Sequence, residues 1–267
     1  MNYQFIIISL TEERKNKTKE LLNIINKNNY PVYFLSASTV ENSHDFLPIS
    51  PNDANNQNLM KIICCTKSHL RAIEYASNEN SPEYSIILED DVTFHDNFDE
   101  VLDEIINKLE TENLYSNLQM LNIGWVPCNN YNHYNSSDKL FDKFSVGIEY
   151  KLFNYFYSVG LQGYIIRKSK INDEIKNIIS SDTFFDYSLK VFDKSEILRE
   201  ANIHNLSSMS IYAIDNVLNK LLNFAILFPP IIIERHEEST LGHDNKTHYW
   251  DNFFKNNEEK INNYIWI

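Results

Sequence analysis

Residues 84–91 read Tyr-Ser-Ile-Ile-Leu-Glu-Asp-Asp, and the reading of this run decides the fold. Tyr84 to Leu88 has the length and apolar character of a buried strand, and three acids follow it directly. In open α/β sheets, ligands collect at the carboxyl ends of the strands. Carboxylates in a row at such a place repel one another unless a cation or solvent screens them. Two readings of Glu89-Asp90-Asp91 therefore stand together: a site for a hard divalent cation, Mg2+ or Mn2+, or a solvated acidic turn with Asp96 capping the next helix.

Upstream, residues 3–9 read as a buried strand, and Thr11 followed by Glu12 and Glu13 supplies a helix cap with acids in the first turn. The helix runs to about Asn28, with Leu21, Leu22, Ile24 and Ile25 on its apolar side, and Pro31 to Ser36 forms the next strand. A βαβ unit of this kind has parallel strands and a right-handed crossover. Residues 40–58 are polar, hold Pro48 and Pro51 and read as a loop, after which Met60 to Ala76 returns to helical spacing. Downstream come a helix over 96–110, a strand over 118–124 and an Asn/Tyr-rich loop to about 145. Two apolar stretches, 151–158 and 161–166, flank Gly160; residues 168–200 and 208–223 read as helical. The strand over 224–233 is broken by Pro229-Pro230 and must lie at an edge or a bend. No repeat or interdomain linker interrupts the 267 residues, which are expected to form one α/β domain over 1–267.

Composition narrows the function classes. With 24 basic and 37 acidic side chains the net charge is -13, which argues against a nucleic-acid partner. A nucleotide remains compatible, because a divalent cation can neutralise a diphosphate in an acidic cleft. Cys64, Cys65 and Cys128 fit neither a disulfide framework nor a zinc spacing and point to a reducing compartment. The start lacks a basic segment and a cleavage site, and no run of 18 apolar residues occurs, so no signal peptide, no membrane span and a cytoplasmic location are expected.

Further segments give the acidic run a context. Cys64-Cys-Thr-Lys-Ser-His69 precedes Leu88-Glu-Asp-Asp91 by one helix and a strand, and the pair resembles the Gly-Cys-X-X-Ser-His and Leu-Glu-Asp-Asp of glycosyltransferase family 25, the lipopolysaccharide and procollagen galactosyltransferase-like enzymes. Gly160-Leu-Gln-Gly-Tyr-Ile-Ile-Arg-Lys168 is similar to that family's Gly-Thr-X-Gly-Tyr-X-Ile-Ser-X-Lys, and Ala213-Ile-Asp-Asn-Val217 to its Val-Asp segment. The strand ending in Arg235-His236 is similar to its Pro-X-X-X-X-Pro-Thr-His stretch. The segments follow the family's order from Ile6 to about His243. The chain departs from the pattern at Lys61-Ile62, where the family has Gly-Glu, at Cys64 in place of glycine, and at Ser9 in the first-strand Asn-Leu.

The resemblance implies a GT-A fold, a mixed and mostly parallel central sheet flanked by helices. It implies a UDP-sugar donor, Mn2+ or Mg2+, and a glycan or protein hydroxyl as acceptor. Asp91 becomes the principal metal ligand, Glu89 a supporting ligand through metal-bound water or the donor ribose, and Asp90 the shaper of the turn. His236 completes the metal site, with His243 as rival for that place. Arg14 matches the basic residue that faces a phosphate or uracil, or is a plain surface arginine. Asp215, in the first turn of a helix, is the general base of an inverting transfer or a helix cap. Ser68 and His69 point about 100° apart on a helix, which rejects a serine-hydrolase pair; they brace the donor cleft or bond the nucleotide. Gly160 and Gly163 admit sugar or acceptor to the backbone, or form a tight turn, and Tyr164 is a core candidate. Trp125, Tyr131, His133 and Tyr134 either stack on an acceptor sugar or pack their loop onto the domain.

The function so read is inverting transfer of a hexose, galactose or glucose, from UDP to a hydroxyl. The alternative is a relative that binds nucleotide-sugar or glycan without transfer. A metal-dependent phosphoesterase would need more clustered His/Asp ligands than eight scattered histidines offer.

Overall fold

The computed structural model describes residues 2–40, 56–126, 144–146, 148–153, 159–180, 184, 187, 213–228 and 230–235. Strand β1 (Tyr3–Ser9) is buried throughout. Its two-residue period sends Tyr3, Phe5 and Ile7 into one core and Ile6 and Ile8 into another. Helix α1 (Glu12–Ile25) begins where the Thr11 hydroxyl accepts the Arg14 N–H at 3.2 Å, with Glu12 and Glu13 at the positive end of the helix. It stops at Ile25, short of Asn28, because the Asn26 side chain turns to bond both N–H and C=O of Tyr30. Ile24, expected on the apolar side, is 50% exposed, since the buried seam runs through Thr18, Leu21, Leu22 and Ile25. Strand β2 (Val32–Ser36) then pairs in parallel with β1, as the βαβ reading requires.

Helix α2 (Asn56–Ala76) leads to β3 (Tyr84–Glu89), which lies parallel to β1 on its other side. A short β4 (Val92–Phe94) precedes α3 (Phe98–Thr111) and β5 (Met120–Val126). Asn97, not Asp96, is the residue at the start of α3; the Asp96 carboxylate instead meets His95 Nδ1 at 2.9 Å. Strands β6 (Phe144–Val146), β7 (Ile148–Phe153) and β8 (Val159–Arg167) follow. After helices α4 (Asp173–Ile179) and α5 (Ile214–Leu221), Pro229-Pro230 separates β9 (Phe224–Phe228) from β10 (Ile232–Glu234).

The sheet order is β2-β1-β3-β8-β5-β9-β7-β6, with β10 joined to β4 and β5. Of these ten strands only β4, β7 and β8 oppose the direction of β1. The mixed, mostly parallel sheet flanked by helices is therefore present. One core packs α1 and α3 on the sheet through Leu21, Leu22, Val101 and Ile105. The other packs α2, α4 and α5 through Leu70, Ile73, Ile175 and Val217. Covering on both faces explains why residues 5–8 of β1 and 86–88 of β3 read as unbroken apolar runs.

Candidate functional site

Asp90 is buried where β3 ends, and it ties that end to the first βα connection. Its Oδ2 accepts the Leu10 N–H at 2.7 Å and the Ser9 hydroxyl at 3.2 Å, while its C=O accepts the Thr18 hydroxyl at 2.8 Å. Burial raises its pKa, opposed by the Leu10 N–H, the Arg14 charge and the Ser9 hydroxyl. These bonds tie the end of β3 to the connection between β1 and α1.

Asp91 is differently placed. Its Oδ2 lies 3.3 Å from Arg14 Nη1, but its buried Oδ1 has no hydrogen-bond partner among the described residues. Burial pushes its carboxyl well above the usual range, followed by the negative charges of Glu89 and Glu234; Arg14 opposes them and Asp90 adds to them. Glu234 arrives with β10, whose antiparallel register against β4 sets it opposite Val92. Arg235, the next residue, donates its backbone N–H to Asp91 O at 2.6 Å and its guanidinium to Asp90 O at 2.5 Å. Four carboxylates thus converge, with Arg14 and Arg235 at the same turn.

Glu89 faces α2, where its Oε1 lies 3.2 Å from His69 Nε2; the other ring nitrogen of His69 meets the Tyr164 hydroxyl at 3.0 Å. Tyr164 is indeed core, and burial, then Glu89 and Cys65, push its phenol up. Asp215 does lie in the first turn of α5, where Oδ1 accepts the Asn216 N–H and Oδ2 the Gly160 N–H, both at 2.9 Å. Burial raises its carboxyl, and the Gly160 and Asn216 N–H groups and then His69 pull it down. His69 therefore interacts with both the acidic turn and Asp215.

Gly160 lies inside β8, not in a turn between strands, at φ +79°, a conformation that favours glycine and aims its N–H at Asp215. Gly163 pairs with Leu88 and Gly124 in the sheet interior, where a Cβ would overlap Ile232 Cδ1 and lie 3.0 Å from Leu88 Cδ2. Its small size is required by packing. Ser68 braces: it donates to Cys64 O and accepts the Ser38 N–H, each at 2.8 Å, which fastens the chain beyond β2 to α2. The structure thus brings Arg14, Glu89, Asp90 and Asp91 together and sets His69, Gly160 and Asp215 beside them. Tyr131, His133, Tyr134, His236 and His243 lie outside the described residues, as does the side chain of Trp125.

Sequence reading alone does not single out Glu234 and Arg235 as candidate site residues, yet the fold brings them to Asp91 and Asp90. Their signal was present in Ile231-Ile-Ile-Glu-Arg235, an apolar strand running straight into charge as β3 does. Cys65 and Tyr164, too, gain their significance only from what the fold puts against them.

Three solved structures have similar outlines. A glycosyltransferase involved in glycosylation of the major capsid of PBCV-1 is 11% identical, at TM-score 0.38, over 94% of this chain and 99% of that one. The galactosyltransferase LgtC, in complex with donor and acceptor sugar analogs, is 11% identical at TM-score 0.42, over 95% and 94%. Mouse xyloside xylosyltransferase 1 is 10% identical at TM-score 0.37, over 95% and 92%. At this identity and these scores nothing about ligands or chemistry passes from those proteins to this chain. No curated protein matches it by sequence. The family described as glycosyltransferase family 25 (LPS biosynthesis protein) matches residues 2–189 of the 267. With that span covering most of the chain, the protein belongs to glycosyltransferase family 25 and is a glycosyltransferase.

Proposed function

We propose that the chain moves a hexose, galactose or glucose, from a UDP-linked donor to a hydroxyl of a glycan or a hydroxylated protein side chain, with inversion at the anomeric carbon. The observation that carries this reading is Asp91: a carboxylate with one buried oxygen that has no hydrogen-bond partner among the described residues, held among the like charges of Glu89, Asp90 and Glu234. Such an arrangement fits a divalent cation. Asp91 and Glu89 would hold Mn2+ or Mg2+, with His236 as a further ligand, and the cation's charge would offset that of the diphosphate leaving group.

Asp90 keeps the turn in place through Ser9, Leu10 and Thr18. Arg14, near the acids and 14% exposed, is suited to turn to a donor phosphate. Asp215 acts as general base: it takes the proton of the acceptor hydroxyl as that oxygen bonds to the anomeric carbon and the bond to the diphosphate breaks on the opposite face. A carboxyl raised by burial is a stronger base than an exposed one, and the Gly160 N–H holds it in place. A GT-A-like domain spanning 1–267 and a cytoplasmic location belong to the same reading.

The test is UDP release from a panel of UDP-sugars with Mn2+, run beside EDTA and Asp91→Asn. Release from one donor, lost in both controls, is the expected result. No release from any donor, together with no metal-dependent UDP binding by calorimetry, would show a relative that has lost transfer.

A further inference from the structure

Cys65 and His69 are four residues apart on α2, a spacing that stacks two side chains on one helix face. Glu89, at the end of β3, closes the third side. One ligand atom from each of the three lies within 4.8 Å of the others, and Cys65 is in no disulfide. We propose that Cys65, His69 and Glu89 form a site for a thiophilic divalent cation of the zinc class, which shares Glu89 with the hard-cation site proposed at Asp91.

The donor set decides the class of ion. One sulfur, one imidazole nitrogen and one carboxylate oxygen suit a borderline-soft tetrahedral ion with a fourth position open to water, whereas Mg2+ and Mn2+ favour oxygen throughout. The outer contacts agree with this. Metal-binding histidines usually have their second nitrogen fixed by a hydrogen bond, and here Tyr164 meets His69 Nδ1 at 3.0 Å while Nε2 is directed to Glu89. Without the cation, Nε2–H donates to Glu89 and the Tyr164 hydroxyl donates to Nδ1. With the cation, the ring proton moves to Nδ1 and Tyr164 oxygen accepts it, which frees the Nε2 lone pair. Cys65 gives up its thiol proton to solvent, so a 2+ ion is balanced by one thiolate and one carboxylate.

A cation held here competes for the Glu89 carboxylate, so filling this site inhibits transfer. That consequence rests on the reading of Glu89 as part of the donor site; the binding itself does not.

The experiment uses the full chain freed of metal by chelation and titrated with Co2+ as a spectroscopic probe. One equivalent should produce a near-ultraviolet sulfur-to-cobalt charge-transfer band, and Zn2+ should remove it. Cys65→Ser should lose the band, Cys64→Ser and Cys128→Ser should keep it, and Tyr164→Phe should weaken binding about 10–100-fold. Cys65→Asp, which retains a metal ligand but no sulfur, should still bind Zn2+ by calorimetry. In the UDP-release assay with Mn2+ present, Zn2+ should inhibit the wild-type chain, and Cys65→Ser should need about tenfold more zinc or beyond. No band, or a band that survives Cys65→Ser, overturns the site. A band with Zn2+-indifferent UDP release overturns the inhibition. A band in a chain that releases no UDP supports the site and counts against the UDP-sugar donor alone.

Discussion

Asp91→Asn should stabilise the metal-free protein while abolishing its response to Mn2+. The substitution removes one charge from the group of Glu89, Asp90, Asp91 and Glu234. An amide nitrogen in place of Oδ1, which now has no hydrogen-bond partner among the described residues, can donate to a neighbouring carboxylate, and the amide oxygen can stay toward Arg14. Loss of the ion pair with Arg14 works against the gain, but Arg14 keeps Asp90 at 3.8 Å. A buried polar atom without a partner costs about 1–3 kcal/mol, which sets the expected stabilisation. At roughly 2–4 °C per kcal/mol for chains of this size, the Tm in chelator rises by about 2–12 °C.

The pH dependence has a definite sign. The Asp91 carboxyl is raised in the folded state, so its contribution is fully present below the ordinary carboxylate pKa and is lost as pH rises through the folded value. Asparagine has no such loss. The two curves should meet in acid and separate toward neutral pH. Saturating Mn2+ at about 100 times its Kd should raise the wild type by about 2.7 kcal/mol and leave the variant unchanged. Thermal unfolding followed by circular dichroism, in chelator and in Mn2+, measures both effects. A variant less stable than wild type in chelator, or an equal Mn2+ shift in both proteins, refutes the cation reading of Asp91.

Other expectations follow from the same contacts. Asp215→Asn should lower kcat for UDP release about 10²–10⁴-fold with donor KM little changed; near wild-type turnover would leave Asp215 only its structural bonds to the Gly160 and Asn216 N–H groups. Gly163→Ala, whose methyl meets Ile232 and Leu88, should cost about 1–3 kcal/mol in urea unfolding, and an unchanged midpoint would contradict the tight packing. Tyr164→Phe leaves the buried His69 Nδ1 without its hydroxyl partner and should cost about 1–3 kcal/mol, read the same way; a stability gain would count against that bond.

Local physics made a large part of the fold legible in the sequence. Thr11 before two glutamates marked the start of α1, because an N-cap acts over three residues. The apolar runs of β1 and β3 were readable because a strand covered on both faces needs no alternation. The break at Pro229-Pro230 was readable because proline gives the sheet no N–H. Ile24 was misplaced for a related reason: four apolar residues in five positions do not say which one turns away from the core.

By itself, then, the sequence determined that a buried strand delivers Glu89-Asp90-Asp91 to its carboxyl end and that Asp215 lies in the first turn of a helix. Tertiary structure alone decided what those carboxylates meet. Glu234 and Arg235 reach Asp91 across more than 140 positions because β10 pairs with β4. Gly160 reaches Asp215 because β8 is inserted between β3 and β5, and the same insertion carries Tyr164 under His69. Caps and periodicities act within a few residues and leave a mark on their neighbours. Strand pairing joins distant segments by backbone hydrogen bonds common to nearly every residue type, so the convergence of these side chains is written in the fold and not in any local run of the chain.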